Sequence, residues 1–354
     1  MKIKTSFSNI IISTDIQSVI KKFVDKSDYS KIFMLVDEHS KKYCLPLFGK
    51  NNLFGDVEII ETESGESNKS IKTVSKIWEF LTHHNADRHA LLINLGGGII
   101  GDMGGFAAST FKRGIDFVNI PTTLLAQVDA SVGGKTGINF LKLKNEIGVF
   151  NHPRYVFIDS SFLRTLDKRN ILSGWAEMIK HTLIFNQKNF EHLIQYKIFN
   201  INYKTLNQLI ARSVQIKNHY VETDPMEKGQ RKALNFGHTF GHAFESYFME
   251  QKNNLLHGEA VALGMICEIY LSNKLCGFPA QKMEQAINYI LNTYPKVNIP
   301  ETAMANIIEL IGHDKKNKGK DINLTLLEDF GIIKINQHCR KKDMLETLKW
   351  YNTL

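Results

Sequence analysis

Three histidines lie close to glycines in the second half of the chain: His238, His242 and His257. His238 and His242 are four residues apart, so in a helix they share one face, as paired zinc ligands often do. A lone histidine is more often a surface or core residue, but three within twenty positions favour a metal site. Thr239 rules out the HExxH pattern of metalloproteases.

A glycine-rich run, Gly96-Gly-Gly-Ile-Ile-Gly-Asp102, follows an apolar segment and precedes a helical one. Such a run lets backbone amides approach a diphosphate at a helix N-terminus. The usual dinucleotide fingerprint follows the first strand, whereas this run follows about the third, so a structural tight turn is the alternative. Asp37 and Glu38 end the first clear strand, where either a ribose-binding carboxylate or a solvated loop acid is expected.

A second glycine-rich segment, Asp129-Ala-Ser-Val-Gly-Gly-Lys-Thr-Gly-Ile-Asn139, superficially suggests a phosphate loop. It fails the Walker A pattern, which requires a glycine where Asp129 stands. The segment instead predicts a flexible turn that presents Lys135 beside Asp129, which suits an anionic ligand; a merely structural loop is the alternative. Just upstream, Thr122 or Thr123 is placed to cap a helix.

Cationic residues recur beside these glycines and histidines. Each one alone is more often solvated, but together they favour a polyanionic substrate, because lysine and arginine donate charge-assisted hydrogen bonds to phosphate and carboxylate. They are Arg113, Lys144, Lys180, Lys217, Arg231 and Lys315.

Short β-branched runs alternate with helical patterns in the first half of the chain, and a helix is predicted between 70 and 84. This alternation predicts an α/β fold with a mostly parallel sheet covered by helices, of the Rossmann-like kind that binds ligands beyond the carboxyl ends of its strands. The strand-like runs are 32–36, 57–60, 90–95, 117–120 and 155–159.

Helical periodicity dominates from about residue 163, broken by a predicted hairpin over 322–327 and 331–335. A chain of 354 residues is long enough for two domains. We therefore predict a nucleotide-binding α/β domain over 1–162 and a mainly helical domain over 163–354 that binds metal and substrate.

The composition is that of a folded, soluble protein, with 43% apolar and 23% charged residues. The net charge of +8 comes from cations spread along the chain, without the stripe or tail expected for nucleic-acid binding. The four cysteines form no CxxC pair, and no apolar run approaches the roughly 20 residues that cross a bilayer. We expect reduced thiols, a cytoplasmic location, and neither a membrane nor a nucleic-acid partner.

Taken together, these segments closely resemble those of the 3-dehydroquinate synthases. The matching motifs span most of the chain, and as a set they are far more specific than any single glycine loop. In order they are Ser64-Gly-Glu-Ser-Asn-Lys69, Gly96–Asp102, Arg113-Gly, Pro121–Asn139, Lys144-Asn-Glu-Ile-Gly148, Ala176-Glu-Met-Ile-Lys180, Arg231–His242, His257-Gly-Glu and Asp314-Lys-Lys316.

The resemblance implies one zinc or cobalt ion per subunit, held by Glu177, His238 and His257. It assigns His242 to a substrate-phosphate contact and so overrides the pairing that spacing suggested. It also implies NAD as a recycled cofactor. The NAD contacts that it implies are Asp37, Glu66, Lys69, Gly97, Gly98, Asp102, Thr122, Thr123, Lys135 and Lys144.

The implied reaction closes 3-deoxy-arabino-heptulosonate 7-phosphate, a phosphorylated sugar acid, into a carbocycle with loss of phosphate, as a step of the shikimate pathway. Arg113 is implied to reach a neighbouring subunit's site, so a homodimer is expected. The remaining implied catalytic and substrate residues are Asp129, Lys135, Asn145, Lys180, Lys217, Arg231, Asn235, His242 and Lys315.

Two stretches depart from the family pattern. Residues 223–229 read Thr-Asp-Pro-Met-Glu-Lys-Gly where an Asp-Glu-x-Glu-like stretch is usual, and the first strand ends Asp37-Glu-His39 where asparagine often stands. Both affect details of ligand contact without removing a metal ligand.

Three other functions remain as alternatives. One is a related cyclase acting on sedoheptulose 7-phosphate or glucose 6-phosphate, against which Leu234-Asn235, Lys135 and Arg231 favour the dehydroquinate form. Another is a metal-dependent alcohol or glycerol-phosphate dehydrogenase, which would leave free NADH. The third is a non-catalytic nucleic-acid-binding module, which would show steeply salt-dependent binding.

Overall fold

The computed structural model describes residues 1–48, 56–141, 143–249, 251, 254–312 and 322–354. The chain forms two compact units: the first comprises residues 1–167 and 201–218, and the second comprises residues 168–200 and 219–354. The domain boundary that the sequence places after residue 162 stays a prediction.

The first unit contains a seven-stranded sheet in the order β1-β2-β9-β6-β5-β3-β4. β1 is antiparallel to β2 and the other neighbours are parallel, so the predicted mostly parallel sheet is confirmed. Its strands are β1 (Lys2–Lys4), β2 (Asn9–Ile12), β3 (Ile32–Asp37), β4 (Val57–Thr62), β5 (Leu91–Gly96), β6 (Asp116–Pro121) and β9 (Tyr155–Ile158).

Helices cover both faces of this sheet. Alternate residues of a strand point to opposite faces, so Leu35 packs in one buried cluster with residues of α3 and α4, while Met34 packs in another with residues of α1. The helix predicted between 70 and 84 is α3 and is confirmed. The helices that lie before β9 are α1 (Ile16–Val24), α2 (Glu38–Tyr43), α3 (Ile71–His83) and α4 (Gly98–Thr110).

The turn predicted over 129–139 covers only part of that segment: residues 131–134 form a turn, with Gly133 and Gly134 at positive φ. Residues 126–130 form one turn of π-helix, and a hairpin follows, with β7 at Lys135–Phe140 and β8 at Leu143–Phe150. Within the hairpin, Gly137 lets the two strands approach closely, because a Cβ on it would lie 2.5 Å from the carbonyl oxygen of Ile147 on the partner strand.

The second unit is mainly helical, as the sequence predicts, and the late hairpin is confirmed as antiparallel β10 and β11. None of the helices in the described part of the chain combines the length and apolar character that crossing a bilayer requires. The elements are α5 (Lys168–Leu183), α6 (Gln187–Ile194), α7 (Tyr203–Thr223, which begins in the first unit), α8 (His238–Phe248), α9 (His257–Cys276), α10 (Ala280–Thr293), α11 (Glu301–Gly312), β10 (Ile322–Asp329), β11 (Ile332–Cys339) and α12 (Lys341–Thr353).

Candidate metal centre and nucleotide site

Three side chains of the second unit converge as a candidate metal centre. Glu177, His238 and His257 each offer one ligand atom, and these atoms all lie within 4.8 Å of one another. Nε2 of His238 is 3.5 Å and Nε2 of His257 is 3.6 Å from the same carboxylate oxygen of Glu177. Ligand atoms around a tetrahedral zinc lie roughly 3.3 Å apart. The donor types and their spacing therefore fit a zinc-like ion.

The helices place these ligands at defined points. Glu177 lies within α5, while His238 and His257 are the first residues of α8 and α9. Helix backbones approach closely because glycines lie at the crossings: a Cβ on Gly258 would lie 1.9 Å from the carbonyl oxygen of Ser173, and a Cβ on Gly264 would lie 2.1 Å from that of Gly237. Side chains at these crossings would push the ligand-bearing helices apart.

The other nitrogen of each imidazole also has a partner. Nδ1 of His238 is 3.1 Å from the carbonyl oxygen of Phe236, and Nδ1 of His257 is 3.1 Å from Oε2 of Glu245. A proton on Nδ1 satisfies these acceptors and leaves Nε2 to ligate a metal. The second contacts therefore fix both the ring orientation and the tautomer that the centre needs.

Burial and charge act differently on the two imidazoles. Burial, assisted by the charge of Lys180, holds the pKa of His238 well below its usual range. Burial also opposes the charged form of His257, but its hydrogen bonds to Glu177 and Glu245 raise the pKa of His257 to about 10. A cation that binds here would thus meet a neutral His238 and would displace a proton from His257.

Other residues implied for the substrate lie in the same unit. Lys180 is 1% exposed and pairs with the second carboxylate oxygen of Glu177. The His242 ring centroid is 5.3 Å from that of His238 and 5.9 Å from that of His257. The structure thus brings His242 beside the three metal-site side chains, while its substrate role stays a prediction.

Arg231 and Asn235 lie just before α8. Arg231 is 2% exposed and donates to the carbonyl oxygen of Pro225 at 2.6 Å. Nδ2 of Asn235 donates to Oε1 of Glu227 at 2.9 Å. Glu227 belongs to the stretch that departs from the family pattern, and it adopts a left-handed φ of +57°. Lys315 lies outside the described residues.

The glycine run of the first unit forms the turn that the sequence predicts, between β5 and α4. Gly97 immediately precedes α4, and Gly98 begins it. A Cβ on Gly97 would lie 3.2 Å from Cγ2 of Thr123, and one on Gly98 would lie 3.2 Å from Cβ of Ala130. Amides at a helix N-terminus with bare glycines beside them fit a diphosphate group.

Two threonines follow β6, next to this turn. The Thr122 amide donates to the carbonyl oxygen of Gly96 at 2.9 Å. Of the two candidate caps, Thr123 accepts the hydrogen bond, from the Ala126 amide at 3.2 Å. The threonines and the glycine turn therefore lie side by side at the carboxyl ends of β5 and β6.

A buried lysine, Lys69, contacts two other implied residues of the first unit. Lys69 is 4% exposed, and its Nζ lies 2.5 Å from both Oδ2 of Asp102 and Oδ1 of Asn145. Burial raises the pKa of Asp102 despite the opposing charge of Lys69. Asn145 adopts a left-handed φ of +50°, a conformation that asparagine adopts more readily than most other residues.

Three carboxylates at or after the ends of β3 and β4 accept hydrogen bonds from nearby groups of the protein. Asp37 caps α2 by accepting from the Ser40 amide at 2.6 Å. Glu38 accepts from the Ser64 amide at 2.8 Å, and Glu66 accepts from Nδ2 of Asn139 at 2.8 Å. Each carboxylate therefore already accepts a hydrogen bond within the protein, in addition to any hydrogen bond that a ribose hydroxyl would donate.

The remaining implied residues of the first unit fall into two groups. Asp129 accepts a hydrogen bond from Nζ of Lys217 at 2.8 Å. Lys135 and Lys144 lie on the β7–β8 hairpin and are exposed, and Arg113 is exposed with a left-handed φ of +70°. The first pair is thus set in place, whereas the three exposed cations are accessible to a ligand or a partner.

Sequence reasoning missed three carboxyl and hydroxyl groups that support the metal centre. Glu245 contacts His257, the Ser173 hydroxyl accepts from the Gly258 amide at 3.0 Å, and Glu268 accepts from amides at the start of α8. One signal was present for Glu268, since it is a single charge within the apolar run of α9, and isolated charges are seldom buried without a partner.

Comparisons with known proteins match both halves of the chain. The family described as 3-dehydroquinate synthase matches with its N-terminal part over residues 59–173 and its C-terminal part over residues 174–317. The 3-dehydroquinate synthase of Parabacteroides distasonis is 49% identical over 346 residues, which cover 98% of this chain and 98% of that protein.

Solved structures show the same fold. A 2-deoxy-scyllo-inosose synthase in complex with carbaglucose-6-phosphate, NAD⁺ and Co²⁺ superposes with a TM-score of 0.86 at 24% identity, covering 99% of each chain. A 2-epi-5-epi-valiolone synthase from Streptomyces hygroscopicus with NAD⁺ and Zn²⁺ bound has a TM-score of 0.83 at 22% identity, covering 99% of this chain and 98% of that one. At these identities the likeness establishes the fold alone.

Proposed function

Because the chain belongs to the 3-dehydroquinate synthase family, we propose that it converts 3-deoxy-arabino-heptulosonate 7-phosphate into 3-dehydroquinate and phosphate. The observation that carries the proposal is the convergence of Glu177, His238 and His257 within 4.8 Å. The overall conversion releases phosphate without net oxidation, so the enzyme is a carbon–oxygen lyase of aromatic amino-acid biosynthesis.

Two bound groups complete the chemistry. NAD supplies a reversible hydride acceptor, and zinc or cobalt supplies a Lewis acid that polarises the substrate hydroxyl. Glu177 and the Nε2 atoms of His238 and His257 would hold the metal. The turn at Gly97 and Gly98 would receive the diphosphate of NAD, while the carboxylates of Asp37 and Glu66 and the Lys69–Asp102 pair would contact the rest of the cofactor.

Cationic side chains would hold the substrate through its two anionic ends. Lys180 and Arg231 are buried, and charge-assisted hydrogen bonds from such groups to phosphate and carboxylate are strong. His242, Asn235 and Lys315 would add polar contacts in the second unit. Holding the substrate in one reactive conformer can lower the activation free energy by roughly 7–11 kcal/mol.

The first unit would contribute its own substrate contacts. The Lys217 ammonium holds Asp129 in place, and Lys69 does the same for Asn145, so both polar groups are preset before a ligand arrives. Lys135 and Lys144 are exposed and would turn toward an anion when it binds. The proposal includes the division of the chain into a nucleotide-binding domain over 1–162 and a metal- and substrate-binding domain over 163–354.

We also propose a cytoplasmic homodimer. All four cysteines are free thiols, which suits a reducing compartment. Arg113 would enter the site of the neighbouring subunit, since its guanidinium is exposed on a strained turn. Sedimentation equilibrium of the purified protein measures the oligomeric state, and a monomer at working concentration would remove this assignment.

The test of the activity is phosphate release from the heptulosonate substrate, with and without added NAD and a chelator. We expect release that depends on both, with no accumulation of NADH absorbance. Accumulating NADH would indicate a polyol or glycerol-phosphate dehydrogenase instead. Turnover of sedoheptulose 7-phosphate or glucose 6-phosphate in place of the heptulosonate would indicate one of the related cyclases.

A further inference from the structure

A carboxylate on α9 reaches the start of α8. Glu268 is fully buried, and its Oε2 accepts from the Gly237 amide at 2.7 Å. Its Oε1 accepts from the Thr239 amide at 3.0 Å and the Phe240 amide at 3.4 Å. The first amides of a helix have no partner within the helix, so Glu268 supplies from a neighbouring helix the acceptors that a capping side chain usually provides.

α8 has no side-chain cap of its own. The residue before it, Gly237, lacks a side chain and stands at φ +80°. A Cβ at this position would lie 2.5 Å from Cγ of Met265, so a serine or aspartate cap has no room. The sequence therefore leaves these amides to Glu268, and loss of that acceptor would leave buried N–H groups unsatisfied.

The bonded amides flank a metal-site histidine. Gly237 precedes His238 and Thr239 follows it, and both donate to Glu268. The Nδ1 contact of His238 is also made within this turn, to the carbonyl oxygen of Phe236. Since α9, which carries Glu268, itself begins at His257, one carboxylate links the backbones that present two of the three candidate ligands.

We propose that Glu268 is a positioning residue for the metal centre: it holds the first turn of α8 so that Nε2 of His238 faces Glu177. The inference rests on the proposed function, because that function assigns a metal to these side chains. It adds a residue that contacts the backbone around a ligand rather than the ligand's side chain. A cap with only a structural role would stabilise the fold and leave the environment of the ion unchanged.

The test compares Glu268→Gln with Ser272→Ala in the full-length protein. Glutamine keeps the volume but replaces one acceptor oxygen with a carboxamide NH2 group, which cannot accept hydrogen bonds from the amides. Ser272 lies one turn further along α9 and is also fully buried. It accepts from the Leu327 amide at 2.9 Å and donates to the carbonyl oxygen of Glu268 at 2.6 Å, so Ser272→Ala is a control that disturbs the same stretch of α9 but leaves the Glu268 carboxylate in place. Cobalt is the probe, because its visible absorption reports the geometry of its ligands.

Glu268→Gln should bind cobalt roughly 10-fold more weakly in competition with a chelator, the scale seen for outer contacts of metal ligands. Its visible cobalt spectrum should also shift. Ser272→Ala should keep the wild-type cobalt affinity and spectrum, and both variants should keep wild-type NAD affinity. If Glu268→Gln does not fold, Glu268→Asp decides, because the carboxylate remains but is retracted, and we expect an intermediate loss of cobalt affinity.

Two outcomes would overturn the inference: a Glu268 variant with unchanged cobalt affinity and spectrum, or a Ser272→Ala variant with the same losses. Failure of the proposed function looks different. In that case the wild-type protein itself would bind no cobalt at the micromolar scale, or would release phosphate equally well with a chelator present.

Discussion

The candidate metal centre and the candidate nucleotide site are built in different ways. In the second unit, Glu177 is fully buried and both metal-site imidazoles have a second hydrogen-bond partner. In the first unit, the glycine turn is half-buried, and polar groups such as Asp37 hold one another locally. A metal needs a few atoms at fixed short distances, whereas a dinucleotide contacts many backbone groups. The candidate metal centre therefore depends on helix packing, whereas the candidate nucleotide site depends on the sequence of its turns.

The largest effect is expected when a metal-ligating side chain is removed, which should impair the metal centre and leave the nucleotide site intact. His257→Ala should abolish tight metal binding and reduce phosphate release at least roughly 1,000-fold, because a Lewis acid contributes several kcal/mol to a barrier. NAD affinity should be unchanged. Metal content by mass spectrometry and NAD titration by fluorescence measure both. His192→Ala on the exposed face of α6 is the control, and full zinc content in His257→Ala would refute the ligand assignment.

The converse change addresses the nucleotide site. Gly97→Val should weaken NAD binding about 10-fold to 100-fold, because its side chain would occupy space next to Thr123 where backbone must approach a diphosphate. Gly101→Ala is the matched control in α4, since its Cβ would meet only Nδ2 of Asn119 at 3.9 Å. Calorimetry with NAD measures both variants. Equal NAD affinity in Gly97→Val and wild type would show that this turn is structural.

A smaller effect is expected from the partner of His257. Glu245→Gln removes the negative charge from the Nδ1 contact, so metal affinity should fall roughly 10-fold while the overall fold persists. Chelator competition measures the change, and Glu284→Gln on the exposed side of α10 is the control. Retention of wild-type affinity in Glu245→Gln would mean that packing alone orients His257.

The smallest effect concerns a charge of the second unit outside the metal centre. Hydrogen bonds from Arg340 and Lys274 lower the pKa of Asp343 to about 2. The unfolded carboxyl has a pKa of about 3.9, so these contacts add to the free energy of unfolding above that pH and are lost as pH falls from about 4 to about 2.

Asp343→Asn should therefore lessen the loss of stability over this acidic range, and by a small amount, since Arg340 is 81% exposed and such pairs are weak. Urea unfolding at several pH values measures it, with metal affinity expected to stay at the wild-type value. An unchanged acid profile would show that the pair contributes nothing measurable.

The same contrast explains what could be predicted from sequence. The strand, glycine turn and helix around Gly96 are local patterns, and the structure has them as predicted. Spacing groups His238, His242 and His257 and favours His238 and His242 as the pair, whereas Glu177 is identified as a ligand only through the family resemblance, because no periodicity connects residues on separate helices. The β7–β8 hairpin was missed because Gly137 suggested flexibility, although its role is to let two strands approach closely.

Two of the candidate metal ligands are the first residues of helices, and this position has an electrostatic consequence. The N-terminal end of a helix carries a partial positive charge of roughly half an electron, and α8 and α9 both begin at such a residue. Both ends, however, face a carboxylate: Glu268 accepts from the first amides of α8, and Glu259 accepts from the Leu256 amide at the start of α9. These two negative charges offset the repulsion that the helix ends would otherwise exert on a bound cation.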